Sequence, residues 1–297
     1  APWYPYDAEA WATDVRGADI HCSSGHFQSP VDLPACKVPK SRAPISLTWG
    51  THSIELVNGG ENIQLNVLGR PGKMKVGYSE YELLQCHFHE GSEHTIAGKQ
   101  MDLVVHCVHN QTMGGTGRFG VMGIFYEVSE TESDPFLALI EDHLPTVATS
   151  PSAFSGPLDF NTLPRDTSIL NYYTYDGSLT TPPCSEVVDW YLAMDRRKIS
   201  RAQLSKFQTA IGRTEGNFRP PQPLHGRTVE GCEEIEANRQ SGHSEPQCQD
   251  RSVDISIDLP TCSAESRTPL DLRWGWHEVF LTSSGGAVHM DIVGTLG

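Results

Sequence analysis

Gln85-Cys86-His87-Phe88-His89 and, further on, Val105-His106-Cys107-Val108-His109 are the two stretches from which the rest of the chain is read. Both fall in runs of alternating residue types rich in β-branched and aromatic side chains, Tyr81–His89 and Leu103–His109, and so read as strands. Successive side chains of a strand point to opposite faces. His87 and His89 therefore share a face, roughly 6.5–7 Å apart along the backbone. A third imidazole from a neighbouring strand closes a tripod, and His106 is the best candidate because its run comes next. Three neutral imidazoles with one open position make a catalytic Zn2+ arrangement, whose bound water ionises near pH 7. A lone His-x-His is more often a solvated strand face. The apolar surroundings and the second histidine-bearing strand reverse that judgement. Gln85, two residues before His87 on the same face, has a side-chain carbonyl that would orient a ligand from behind.

Working outward, Ile45–Trp49, Ser53–Val57, Ile63–Val67, Val121–Val128 and Val187–Met194 also read as short strands separated by Gly, Pro and Asn. Helical signals are few. Asp134–His143 has a capping Asp followed by Pro, and Ser200–Ile211 has Ser200 as cap and Gly212 as stop. Residues 1–30 read as an aromatic, turn-rich arm. The expected class is α+β, with a large sheet and peripheral short helices.

The chain has 297 residues, 37 acidic and 22 basic, for a formal charge of −15. That charge repels phosphate backbones and anionic lipid, so neither nucleic acid nor membrane is an expected partner. No apolar run approaches the roughly 18 residues of a membrane span. Eight cysteines with no CxxC pair favour disulfides and an oxidising compartment. Asn110-Gln111-Thr112 is a glycosylation sequon, which fits secretion. No signal peptide stands at Ala1, which reads as a mature start.

An internal repeat alters the domain count. Asp32-Leu33-Pro34-Ala35-Cys36 returns as Asp258-Leu259-Pro260-Thr261-Cys262, Trp49-Gly50 as Trp274-Gly275, and Gly59-Gly60 as Gly285-Gly286. The expected division is a main domain at 1–229, an acidic linker at 230–251 and a partial repeat of residues 26–69 at 252–297. A tail so short has too little core to fold alone. Its strands are expected to pair with the main domain or with another chain, giving a homo-oligomer or strand exchange.

In these motifs the chain resembles the α-type carbonic anhydrases. The matching stretches are Gln28-Ser29-Pro30-Val31-Asp32, Gln85-x-His87-Phe88-His89, Gly91-Ser92-Glu93-His94-Thr95, His106-x-Val108-His109, Tyr175-x-Gly177-Ser178-Leu179-Thr180-Thr181-Pro182-Pro183-Cys184 and Asn217-Phe218-Arg219-Pro220. They are ordered and spaced as in that family from about residue 3 to 229. The resemblance implies a large twisted, mainly antiparallel sheet. It implies zinc held by His87, His89 and His106, and reversible hydration of carbon dioxide to bicarbonate and a proton. Thr180 matches the residue whose hydroxyl accepts from the zinc-bound nucleophile and donates to a buried Glu93. Thr181 matches a further polar wall residue, and Gln64 a polar residue deeper in the cone. Val108, Val121, Leu179, Val188 and Trp190 match the apolar wall that holds carbon dioxide. Gln85, His94 and Tyr175 are expected behind the ligands. Cys22 and Cys184 match a disulfide of secreted members.

Three positions depart from the family's pattern. Val104 stands where a glutamate usually accepts from the far nitrogen of the third ligand, and Asp102 lies too far along the same face to substitute. No histidine follows Asn58-Gly59; Gly60-Glu61-Asn62 comes instead, and Glu61 is a poor proton relay near pH 7. Glu90 takes the place of an aromatic after the second ligand. Turnover is therefore expected to be slow or buffer-limited. The alternative is a weakly active or inactive extracellular structural, storage or biomineral-matrix protein on the same scaffold. Among the remaining cysteines, Cys86 and Cys107 are either a cross-strand bridge or two buried thiols, with thiols favoured. Cys232 is expected to close the linker with Cys248, and Cys36 to join Cys262.

Overall fold

The computed structural model describes residues 21–232, apart from positions 41, 61, 115–116, 147–150, 153, 155 and 213–215, together with the strands at 272–274, 277–284 and 287–293. The chain divides into two compact units, 1–237 and 238–297. Glu61, Cys248 and Cys262 lie outside the described residues, as does most of the N-terminal arm.

In chain order the main strands of the first unit are β1 (Ile45–Thr48), β2 (Thr51–Asn58), β3 (Ile63–Leu68), β4 (Lys73–Val76), β5 (Ser79–Glu90), β6 (Leu103–Met113), β7 (Phe119–Ser129), β8 (Tyr172–Gly177), β9 (Val188–Ala193) and β10 (Arg197–Ser200). Among the described residues thirteen strands join one sheet, whose spine runs β2-β3-β5-β6-β7-β9-β8. Neighbours along it are antiparallel except β7, which runs parallel to β9 and to β10. The class is α+β as expected, with a mainly antiparallel sheet and short helices outside it. β4, β8 and β10 are strands that the sequence reading passed over. β4 is a four-residue Lys-Met-Lys-Val segment, and the Tyr-Asp-Gly end of β8 resembles a turn.

Register decides which side chains meet, because directly opposed residues point to one face. One row across the sheet is Gln64, His87, His106 and Gly123; the next is Gln85, Val108, Val121, Trp190 and Tyr175. The opposite face carries Cys86, Cys107, Met122 and Tyr191 in one row. That opposite face packs the main core, which includes Trp49, Phe88, Tyr126, Phe136, Phe160 and Phe207. Gly123 is glycine for a reason of space: a Cβ there would come within 2.5 Å of Leu192 Cδ2 and 3.5 Å of His106 Cδ2.

Helices lie at the edge. α1 (Leu137–Ile140) runs into a 3₁₀ turn at Glu141–His143, shorter as an α-helix than Asp134–His143 suggests. Asp134 Oδ1 does cap it, accepting from Leu137 N at 2.9 Å. Pro145 then disfavours the helical conformation at Leu144, which is extended. α2 (Arg201–Ile211) keeps the expected ends: Ser200 and Gln203 form a reciprocal capping box, and Gly212 closes it at φ 70°.

In the second unit β11 (Leu272–Trp274), β12 (His277–Ser284) and β13 (Ala287–Val293) ladder with one another as an antiparallel sheet. Its hairpin has the register of β2–β3. Ser53 faces Leu68 and Ile54 faces Val67; the repeat counterparts Glu278 and Val293, and Val279 and Ile292, face each other likewise.

Three disulfides are formed among the described residues. Cys22 joins Cys184 across 162 residues of sequence. Cys86 joins Cys107, which corrects the expectation of two thiols: the two face each other directly, and their Cα atoms are 4.1 Å apart. Cys36 joins Cys232, so neither the Cys232–Cys248 nor the Cys36–Cys262 bridge stands. A bridge between Pro39 and Cys232 brings residue 232 beside residues 36–40.

Candidate metal centre

β5 presents His87 and His89 on one face, and β6 places His106 directly opposite His87. One nitrogen from each ring lies within 4.8 Å of the others. Two of the three are fixed from behind. His87 Nδ1 donates to Gln85 Oε1 at 2.9 Å, and His89 Nδ1 donates to the Asn217 carbonyl at 2.7 Å. Both rings therefore offer Nε2 to the centre. Desolvation, first, and the neighbouring imidazoles, second, hold His87 and His106 well below the usual histidine range. They stay neutral at pH 7, as metal ligands must.

Glu93 is buried at the floor. Its Oε2 sits 3.6 Å from His89 Nε2 and 3.7 Å from His106 Nδ1. Its Oε1 accepts from Arg219 N at 3.0 Å, and the carboxylate also takes the Thr180 hydroxyl. Burial pushes the Glu93 carboxyl up, opposed by His89, Arg219 and Thr180. His89 Nε2, His106 Nδ1 and Glu93 Oε2 are all buried without a hydrogen-bond partner. Buried polar atoms left unmatched in this way are costly. Two free imidazole lone pairs, a third ring and a carboxylate behind them are matched by a divalent cation. The all-nitrogen donor set fits zinc.

His106 differs from the other two. His106 Nε2, on the ring's far side, also lacks a partner. Val104, fully buried and opposite His89, contributes only methyl groups. Asp102 is engaged elsewhere, its Oδ2 accepting from Val128 N at 2.7 Å.

Beside the ligands, Val121, Val188 and Trp190 form one apolar cluster, with Val108 and Leu179 packed against it. Thr180 is buried and Thr181 half-buried on the loop that follows β8. That loop is tied down by the Cys22–Cys184 bond, by Leu179 N donating to Ser185 O, and by Cys184 N donating to Thr181 O. Gln64, level with His87, donates to Asn66 Oδ1 at 2.6 Å. His94 is fully buried and bonded through Nε2 to Tyr175 Oη at 2.6 Å. Burial lowers its pKa to about 3. Glu90 turns outward, its Oε1 accepting from Gln208 Nε2. Asn110 is exposed on β6.

Two contributors were matched in sequence without being given a role. Asn217 supplies the carbonyl behind His89, and its Oδ1 accepts from Glu90 N. A backbone carbonyl leaves no residue-type signal. Arg219 is buried, donating to Gln28 Oε1, Ser29 O and Cys22 O, and burial lowers its pKa to about 10. The Asn217-Phe218-Arg219 motif was the available signal for both.

Comparison with known proteins converges on this geometry. A family model described as eukaryotic-type carbonic anhydrase matches residues 7–232. A carbonic anhydrase of Nostoc sp. is 34% identical, covering 70% of this chain and 76% of its own length. Alpha carbonic anhydrase 7 of Arabidopsis thaliana is 31% identical, covering 70% and 75%. Among solved structures, the α-carbonic anhydrase of Thermovibrio ammonificans in complex with the inhibitor sulfanilamide is 33% identical. It superposes with a TM-score of 0.67 over 75% of this chain and 94% of that one.

Proposed function

The chain belongs to the eukaryotic-type carbonic anhydrase family, and from that premise we propose that it hydrates carbon dioxide reversibly to bicarbonate and a proton, at a rate limited by proton removal. The observation that carries the reading is the convergence of three imidazole nitrogens within 4.8 Å above the buried Glu93–Thr180 pair. His87, His89 and His106 would hold the metal. Zinc in such a site acts as a Lewis acid that lowers the pKa of water to about 7.

The remaining work falls to the chain's own groups. Gln85 and Asn217 keep Nε2 of His87 and His89 free of a proton. Glu93 accepts the Thr180 proton, so the Thr180 oxygen is left as an acceptor facing the site and selects one orientation of the nucleophile. Thr180 N–H meets a substrate oxygen, and Thr181 lines the polar side. Val108, Val121, Leu179, Val188 and Trp190 hold carbon dioxide against that side and exclude water. Gln64 lies on the polar row by which water enters. The family's shuttle position follows Asn58-Gly59, and the sequence there has no group titrating near pH 7.

Three bridges, the exposed sequon at Asn110 and the net charge support a secreted glycoprotein. We place the main domain at 1–229, followed by a linker at 230–251 and the partial repeat. The repeat's hairpin is an element for pairing with a further strand, in this or another chain. Val104 and the unpartnered His106 Nε2 favour one second reading, a weakly active scaffold protein of the extracellular matrix or a store.

Stopped-flow carbon dioxide hydration tests the proposal, run on zinc-loaded protein in increasing imidazole. The expected rate exceeds that of chelator-treated protein and climbs with imidazole. Equal rates with and without zinc would defeat the enzyme reading. A high rate indifferent to buffer would defeat the claim of limited proton removal.

A further inference from the structure

We propose that His94 is the positioning residue for the third zinc ligand, accepting through Nδ1 the hydrogen bond that His106 Nε2–H would otherwise lack. The inference rests on the zinc reading above, since metal at His106 Nδ1 puts the ring proton on Nε2.

The argument begins at the far end of a hydrogen-bonded chain. Ser178 Oγ donates to Leu179 O, and Ser178 N donates to Ser29 Oγ at 3.0 Å. Tyr175 Oη donates its single proton to Ser29 Oγ at 2.9 Å. The contact between Tyr175 Oη and His94 Nε2, at 2.6 Å, must then be supplied by a proton on His94 Nε2. A neutral imidazole carries one proton, so His94 Nδ1 is a lone pair. It is buried and has no partner.

His106 presents the complement. Its Nδ1 faces Glu93 and the ligand nitrogen of His89, whereas Nε2 is buried and unpartnered. The other unmatched buried acceptors do not serve. Glu93 Oε2 lies on the Nδ1 side, Tyr126 Oη belongs to the core on the opposite face, Gln111 is at the far end of β6, and Glu141 sits in the 3₁₀ turn after α1, paired with Lys206. The His94 ring stands 6.0 Å from the His106 ring, edge to face at 81°, and both pack on the Trp190 indole at 4.7 and 4.9 Å. Donation from His106 to His94, direct or through one trapped water, satisfies both atoms at once. The direction then runs unbroken from His106 through His94 and Tyr175 to Ser29. An imidazole thereby does the work of the carboxylate that Val104 lacks.

Nitrogen-15 NMR of the histidine-labelled, zinc-loaded protein reads the tautomers directly. The expected spectrum has His94 protonated on Nε2 only and His106 on Nε2, with its proton shifted downfield by a hydrogen bond. A His94 proton on Nδ1 overturns the proposal. In parallel, zinc affinity is measured by chelator competition for His94→Phe and for His94→Phe combined with Val104→Glu. Loss of about 10–100-fold in the single variant, restored in the double, supports it. A folded His94→Phe protein with full zinc affinity overturns it. Should His94→Phe not fold, the tautomer of the unaltered protein decides. Failure of the unaltered protein to bind zinc would strike the metal reading itself, a result distinct from either His94 outcome.

Discussion

β5 and β6 both bring histidine to the site, but they secure it differently. On β5, each ligand is held by an acceptor from outside its own ring: Gln85 Oε1 for His87, the Asn217 carbonyl for His89. On β6, the strand itself supplies His106 with no such acceptor, since Val104 fills the neighbouring position. The two strands share one ladder and one disulfide, Cys86–Cys107, on the face away from the metal. The contrast shows that convergence of ligands and support of ligands are separate achievements. Register alone delivers the first; the second needs a particular atom behind each ring.

The largest way to break the comparison is to cut the covalent tie. Cys86→Ala with Cys107→Ala should cost about 2–4 kcal/mol of stability in urea unfolding, with Cys22–Cys184 left intact. Unchanged stability would mean that the ladder holds β5 against β6 unaided. Next, Val104→Glu placed in the His94→Phe background should restore about 10–100-fold in zinc affinity in chelator competition. An unaltered dissociation constant in that folded double variant would show that His106 binds zinc without an acceptor behind it.

A third test uses the other histidine of β6. His109 faces the core, with Nε2 accepting from Trp49 Nε1 at 2.8 Å and Nδ1 donating to Gly120 O at 3.1 Å. Burial lowers its pKa to about 4, against 6.5 unfolded. Below pH 6.5 the unfolded chain binds the extra proton first, so the contribution is full above that pH and falls as pH drops toward 4. Denaturation at pH 7 and pH 5 should differ by roughly 2 kcal/mol from this group, and His109→Gln should shrink the difference. Smallest of all, Gln85→Ala should make β5 resemble β6, weakening zinc by about 10-fold, the low end for such a loss.

The fold and the convergence of His87, His89 and His106 were legible because they rest on period and residue type. Alternation placed His87 and His89 together, and the next apolar run placed His106 opposite. What escaped depends on atoms or contacts without a sequence signature. The Asn217 carbonyl is backbone, visible only once residue 217 reaches β5. The Cys86–Cys107 bond follows from the same register as His87–His106, yet sequence left thiol and bridge both open. Cys36–Cys232 was missed because residue 232 returns beside Pro39, a contact no local pattern announces. α1 was read too long because the turn at 135–136 and the 3₁₀ turn at Glu141–His143 carry the same capping and apolar signals as an α-helix.

X-ray absorption on the zinc-loaded protein bears most directly on the claim that His87, His89 and His106 meet at one ion with a corner left open. The account predicts one zinc per chain, four-coordinate, with three imidazole nitrogens at about 2.0–2.1 Å and one light oxygen donor. Fewer than three imidazoles, or a closed shell of four protein ligands, would contradict it.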